Sequence, residues 1–157
     1  MLIKSFYTLF LALLIALFIG LGIDSFYQSP KRPNYPVKSI LIDKEEGGLS
    51  EEQLILEKKY NEEQDKYMKE LKVYNRNVSV TSLVASIIIL VFSLTFMAKI
   101  KMIADGILLG GVFTTAYGII RGFMSDNSHF RFLVVAIGLI VALVLGYVKF
   151  IRPQKDS

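Results

Sequence analysis

The stretch from Ser50 to Ala98, SEEQLILEKKYNEEQDKYMKELKVYNRNVSVTSLVASIIILVFSLTFMA, is polar in its first half and almost wholly apolar in its second, and it contains no Gly or Pro. The first half is built from strong helix formers, and the second has the length and apolarity of a bilayer span. Because nothing between the two halves breaks a helix, the sequence predicts one long helix that leaves a membrane and continues as an extramembrane stalk.

The rest of the composition agrees with a membrane environment. Hydrophobic residues make up 53% of the 157-residue chain and the mean hydropathy is +0.48, which is too apolar for an ordinary soluble domain. We therefore predict an all-α membrane protein with four transmembrane helices, each close to the roughly 20 residues that cross the hydrocarbon core. The predicted spans are 5–23, 80–98, 103–121 and 132–151, with a proline-rich extended arm at 24–49 and the stalk helix at 50–79.

The positions of the basic residues predict the orientation. Lys4, the turn with Lys99 and Lys101, and the carboxyl-terminal tail lie on one side of the four spans, with few acidic residues. The positive-inside rule makes this side cytoplasmic, although the bases within 24–79 argue for the opposite orientation. We expect a multi-pass protein of the plasma membrane, with both termini in the cytoplasm and residues 24–79 outside it.

The arm and the stalk have different sequence signals. Pro30, Pro33 and Pro36 recur every third residue, as in polyproline II, and 37–42 has the pattern of a short strand. The stalk helix opens with a capping box, Ser50 followed three residues later by Gln53.

A narrow, tyrosine-rich stripe follows one face of the stalk helix. A lone helix with such a stripe is marginal in water, so the stripe should be covered. The proline arm could cover it and form a small ectodomain, or a second copy could pair with it in a coiled coil. Glu63 and Glu70 at core-like positions argue against the coiled coil. The candidate interaction face consists of Tyr60, Tyr67, Leu71 and Tyr74.

Small residues recur at every fourth position of the third span. Such rows let helix backbones approach closely in lipid, where apolar surface gives little drive for association. We expect packing inside one bundle, and the alternative is an oligomer interface or a pore lining. This helix-packing seam consists of Gly106, Gly110, Thr114, Gly118 and Gly122.

Few polar groups lie within the spans. Asp105 is a candidate ion site or helix cap, and we favour the cap because Asp105 lies near a helix amino terminus with Lys99 and Lys101 close by. Arg121 is expected to extend to the membrane interface or to pair with Asp126. The hydroxyls near the middle of the membrane can bond to carbonyls of their own helix; they include those of Ser86, Ser93, Thr114, Thr115 and Tyr117.

The sequence lacks the signatures of enzymes and metal sites. It has no Cys and one His, His129, and it has no H-E-x-x-H, G-x-S-x-G or phosphate-loop motif. The net charge of +4 comes from bases at loops and helix ends rather than from a nucleic-acid-binding patch. We expect a non-enzymatic protein with no catalytic residues, no cofactor, no metal and no nucleic-acid partner.

Four segments carry a resemblance to a known group of proteins: SFYQSPKRPNYP after the first span, YNRNVSV entering the second, KIKMIADGILLGG leading into the third, and IRGFMSDNSHFRF before the fourth. Together they resemble small four-span membrane proteins of candidate-phyla bacteria with reduced genomes, a group with no assigned activity. The resemblance implies a bacterial plasma membrane and no particular chemistry. A looser similarity is to the membrane-insertase superfamily, in which a charged helical region follows the first span.

These observations favour a structural or interaction component of the cell envelope. Its expected partners are the lipid bilayer and another envelope protein that binds the stalk, and we expect a monomer. The main alternative is an oligomeric channel or transporter subunit built on the Gly106 to Gly122 seam. An insertase-like factor for membrane-protein biogenesis is a remote alternative.

Overall fold

A computed structural model describes residues 2–34, 51–96 and 100–151, and all regular structure within these residues is helical. Each of the four helices contains a segment long and apolar enough to cross a membrane. For the described residues, this confirms the prediction of an all-α chain with four candidate spans. The helices are α1 (Leu2–Phe26), α2 (Glu51–Phe96), α3 (Lys101–Phe123) and α4 (Ser128–Gly146), and a π-helical segment, Tyr147–Ile151, follows α4.

Helix α2 is one continuous helix of 46 residues, as the absence of Gly and Pro predicts. Glu51 and Glu52 occupy its first turn, where they suit the positive end of the helix dipole. The predicted cap at Ser50 and the predicted strand at 37–42 lie outside the described residues.

The predicted arm begins later than expected. Residues 24–26 still belong to α1, because no Pro or Gly after Gly22 ends the helix before that point. The described part of the arm is the non-helical segment 27–34.

Two compact units divide the chain. The first comprises Met1–Gln28 and Asn75–Ser157 and contains the helical bundle, and the second is Ser29–Tyr74. The boundary inside α2 falls between Tyr74 and Asn75, so packing into the bundle begins before residue 80, the predicted start of the span.

Within the bundle, α3 is the central helix. It contacts α1, α2 and α4, whereas α1 and α4 bury only Ala12 and Val134 among their described residues. Small side chains dominate the buried positions of α3, which lets three neighbouring helices approach its backbone. The buried residues of α3 are Ala104, Gly106, Gly110, Gly111, Thr114, Thr115, Gly118 and Gly122.

The short connection to α4 is fixed by an amino-terminal cap. The Oδ1 atom of Asn127 accepts hydrogen bonds from the backbone N–H groups of His129 and Phe130, at 2.9 and 3.3 Å. An Asn in this position satisfies N–H groups that have no partner within the helix. The cap explains why α4 begins at Ser128, ahead of the predicted span at 132–151.

The contact between α1 and α3 depends on close approach at two glycines. A methyl group at Gly110 would lie 2.9 Å from the Cβ of Ile15, and one at Gly106 would lie 2.7 Å from Cδ2 of Leu11. The Cβ of Ile15 is fixed to the backbone of α1, so it cannot move aside without moving the helix. Position 110 therefore requires glycine for the observed helix separation.

We expect Gly110→Ala to lower the free energy of unfolding by about 1–3 kcal/mol, because the new methyl group would force α1 away from α3. The measurement is unfolding by SDS in mixed micelles, followed by near-ultraviolet circular dichroism of the tyrosines. Gly20→Ala is the matched control: a methyl group there meets no atom within 4 Å, so the change should stay within about 1 kcal/mol. Equal effects of the two substitutions would contradict the close approach.

Candidate functional site

The predicted seam of α3 lies inside the bundle, but it does not face a single partner. Gly106 and Gly110 contact α1, whereas Gly118 and Gly122 contact α2, and Gly122 also contacts Val134 of α4. An α-helix turns about 100° per residue, so each step of four residues advances the row by about 40°. Between Gly106 and Gly122 the row therefore turns by about 160°, from one neighbouring helix to the other.

The surface of α2 that meets α3 is a row of buried serines. Ser79, Ser82, Ser86 and Ser93 are each 0% exposed. Two of them reach across to α3: Ser79 Oγ donates to the carbonyl of Gly118 at 2.7 Å, and Ser93 Oγ donates to the carbonyl of Ala104 at 2.8 Å. Hydrogen bonds between helices help to hold them together in an apolar environment.

The other two serines bond within α2. Ser82 Oγ donates to the carbonyl of Val78 and Ser86 Oγ to that of Leu83, both at 2.8 Å. The hydroxyl of Ser86 bonds to a carbonyl of its own helix, as the sequence allows. Those of Thr114 and Thr115 on α3 do the same. Ser93 instead donates to a carbonyl of the neighbouring helix, which lies within reach of its hydroxyl.

Ser79 and Ser82 were not among the residues selected from the sequence. The signal was present, since the four serines follow one another at intervals of 3, 4 and 7 residues and therefore share one helix face. A search limited to intervals of four, the spacing of the α3 row, finds the pair of Ser82 and Ser86 but not the whole row.

The cap interpretation of Asp105 is wrong. Helix α3 has Ile100 as its N-cap residue, with no capping bond from a side chain, and Asp105 lies in the second turn. The Asp105 carboxylate instead forms an ion pair with Nζ of Lys149, in the π-helical segment that follows α4. Both side chains are partly buried, with 34% and 25% exposed, so the pair joins α3 to the π-helical segment.

A group of hydrogen-bonded polar side chains lies at the end of the bundle away from Asp105. It consists of Asn75, Asn77, Tyr27, Tyr117 and Arg121. Arg121 donates through Nε to the Tyr117 hydroxyl and through Nη1 to Oδ1 of Asn75, both at 3.0 Å. Asn77 Nδ2 donates to the Tyr27 hydroxyl at 2.9 Å. Arg121 therefore has protein partners at this end of α3, and its predicted pairing with Asp126 stays a prediction.

The candidate interaction face of the stalk is covered unevenly. Tyr74 is only 4% exposed, while Tyr60, Tyr67 and Leu71 are half-buried. Charged side chains flank this face on the same helix, including Lys66 and Glu70, whose charged atoms lie 4.0 Å apart. Tyr74 is therefore a buried residue of the fold. The accessible part of the face is formed by Tyr60, Tyr67 and Leu71.

No group of three or more His, Asp and Glu side chains is placed to hold a metal ion within residues 2–34, 51–96 and 100–151. His129 lies exposed near the start of α4. The residues that the described part of the chain brings together form packing and contact surfaces. Comparison with known families, with curated proteins and with solved structures finds no match.

The serine row allows a matched test of hydrogen bonds between helices. We expect the double variant Ser79→Ala/Ser93→Ala to lose about 1 kcal/mol of unfolding free energy, since each bond between membrane helices contributes roughly 0.6 kcal/mol. Ser82→Ala/Ser86→Ala removes the same atoms from the same buried face but leaves the bonds to α3 intact, so its loss should be smaller. SDS titration of both variants measures the difference, and a larger loss for the second variant would reject the proposed role of Ser79 and Ser93.

Proposed function

We propose that this chain is a non-enzymatic, multi-pass protein of the plasma membrane and a structural or interaction component of the cell envelope. The observation that carries the proposal is the continuity of α2. The same helix contains the buried serine row of the bundle and, ahead of Tyr74, a strongly charged segment that belongs to a second compact unit. A membrane span continuous with a folded segment of this kind is suited to display that segment at the bilayer surface.

The exposure pattern supports a location in water for Glu51–Tyr74. Its charged side chains are exposed apart from the half-buried Lys72, and 78% of the Lys66 side chain and 54% of the Glu70 side chain are accessible. At 1.5 Å per residue this part of the helix is about 36 Å long, which is enough to present a contact surface. We propose the half-buried Tyr60, Tyr67 and Leu71 as the surface that a second envelope protein contacts.

The oligomeric channel has less support from the structure. The glycine row that would line a pore or an oligomer interface is occupied by side chains of the same chain, such as Ile15 at Gly110. The carboxylate that would stand at the mouth of the pore, Asp105, is paired with Lys149. The membrane-insertase superfamily often has a basic residue in a polar groove within the membrane, whereas Arg121 lies in the last turn of α3. These observations favour a monomer.

The proposed orientation can be tested with single cysteines, because the chain has none of its own. We expect a membrane-impermeant maleimide to label Lys66→Cys on intact spheroplasts, and to label Lys101→Cys only after the membrane is opened. Both side chains are exposed, so both cysteines are accessible to the reagent in the folded protein. Labelling in the reverse order would place the stalk in the cytoplasm and overturn the orientation.

The proposed contact face can be tested by photo-crosslinking in native membranes. A benzophenone amino acid at Tyr60 or Tyr67 should give one crosslinked product of defined mass, because these positions lie on the proposed face. The same group at Glu62 or Asp65, on exposed positions away from that stripe, is the matched control. Crosslinking from the control positions alone would show that the partner contacts another face of the helix. The absence of any product from all four positions would contradict the display function.

A further inference from the structure

A cleft of about 540 Å³ lies between the amino-terminal half of α1 and the start of α3. Its volume is typical of sites that bind small molecules. Its walls change character along their length, from Lys4 and Lys101 at one end to Leu9 and Leu109 further along, with Asp105 between Lys101 and Leu109. The cleft is lined by Lys4, Ser5, Thr8, Leu9, Lys101, Met102, Asp105 and Leu109.

The entrance of the cleft has an excess of positive charge. Lys4 and Lys101 are both exposed, and neither ammonium group has a hydrogen-bond or ion-pair partner among the described residues. The acid of the cleft, Asp105, is already paired with Lys149. The charge that remains for a ligand is therefore positive.

The length of the cleft is close to the thickness of one leaflet, with Asp105 partway along it and with Leu9 and Leu109 as its apolar wall. Leu109 follows Lys101 by about 12 Å along the helix axis, at 1.5 Å per residue, and the hydrocarbon of one leaflet is about 15 Å thick. A second groove continues along the same pair of helices past Leu13 and Phe113. Leu9 and Leu13, like Leu109 and Phe113, are four residues apart, so both grooves lie on one face of the helix pair.

We propose that this cleft binds one anionic glycerophospholipid. The phosphate group lies between Lys4 and Lys101, and an acyl chain runs along Leu9 and Leu109 towards Phe113. Basic pockets between membrane helices on the cytoplasmic side bind acidic headgroups by this combination of charge and apolar contact. The inference rests on the proposed membrane location, but it does not depend on a partner for the stalk.

The test is a titration of the full-length protein in neutral detergent, with bound lipids counted by native mass spectrometry. The probes are phosphatidylglycerol and phosphatidylcholine with identical short acyl chains, and free glycerol phosphate. We expect one phosphatidylglycerol to bind at least about tenfold more tightly than phosphatidylcholine, because each lysine near an acidic headgroup contributes roughly a fivefold preference. Glycerol phosphate, which cannot use the apolar wall, should not bind measurably at the same concentrations.

The variant Lys4→Gln/Lys101→Gln should weaken phosphatidylglycerol binding about twentyfold and bring it to the level of phosphatidylcholine. Both residues are exposed, so the fold should persist, and an unchanged elution volume checks this. Lys58→Gln/Lys59→Gln has the same net charge and alters exposed lysines outside the cleft, so it should bind as the native protein does. Equal binding of the two lipids, unchanged binding by the cleft variant, or equally strong binding of glycerol phosphate would overturn the proposal.

Discussion

The close approach of three helices to the backbone of α3 is the constraint on which the bundle depends. Apolar surface provides little drive for helix association in lipid, so association there relies on van der Waals contact and on hydrogen bonds between helices. Gly110 lets α1 come near enough for van der Waals contact with α3. The carbonyl of Gly118 is accessible to Ser79 and accepts a hydrogen bond from it. Because α1 and α4 bury so little of their own surface, α3 holds the bundle together.

The overall architecture could be predicted because it follows from local properties of the chain. Length and apolarity indicate a span, and a run without Gly or Pro indicates an unbroken helix, as in α2. The buried positions of the α3 row could also be selected from residue size. The sequence could not predict which helix each glycine contacts, because the row turns around α3 and the arrangement of the neighbouring helices is not known from the sequence.

The polar contacts were harder to predict, because their partners are distant in the sequence. Asp105 and Lys149 are 44 residues apart, and Asn75 and Arg121 are 46 apart. The sequence places Asp105 near a helix amino terminus, which favours a cap, but only the fold brings Lys149 beside it. Similarly, the hydroxyl of Ser93 could bond within its own helix, and the nearby carbonyl of Ala104 decides the outcome.

The two serine bonds to α3 have a mechanical consequence. Ser79 and Ser93 are about 21 Å apart along α2, and each is joined to a carbonyl of α3. A slide of α2 along its axis by one residue, or the accompanying rotation of about 100°, would break both bonds together and turn larger side chains towards the glycines. The register between the two helices is thereby fixed at two points, so sliding or rotation of the apolar half of α2 against α3 would cost both bonds.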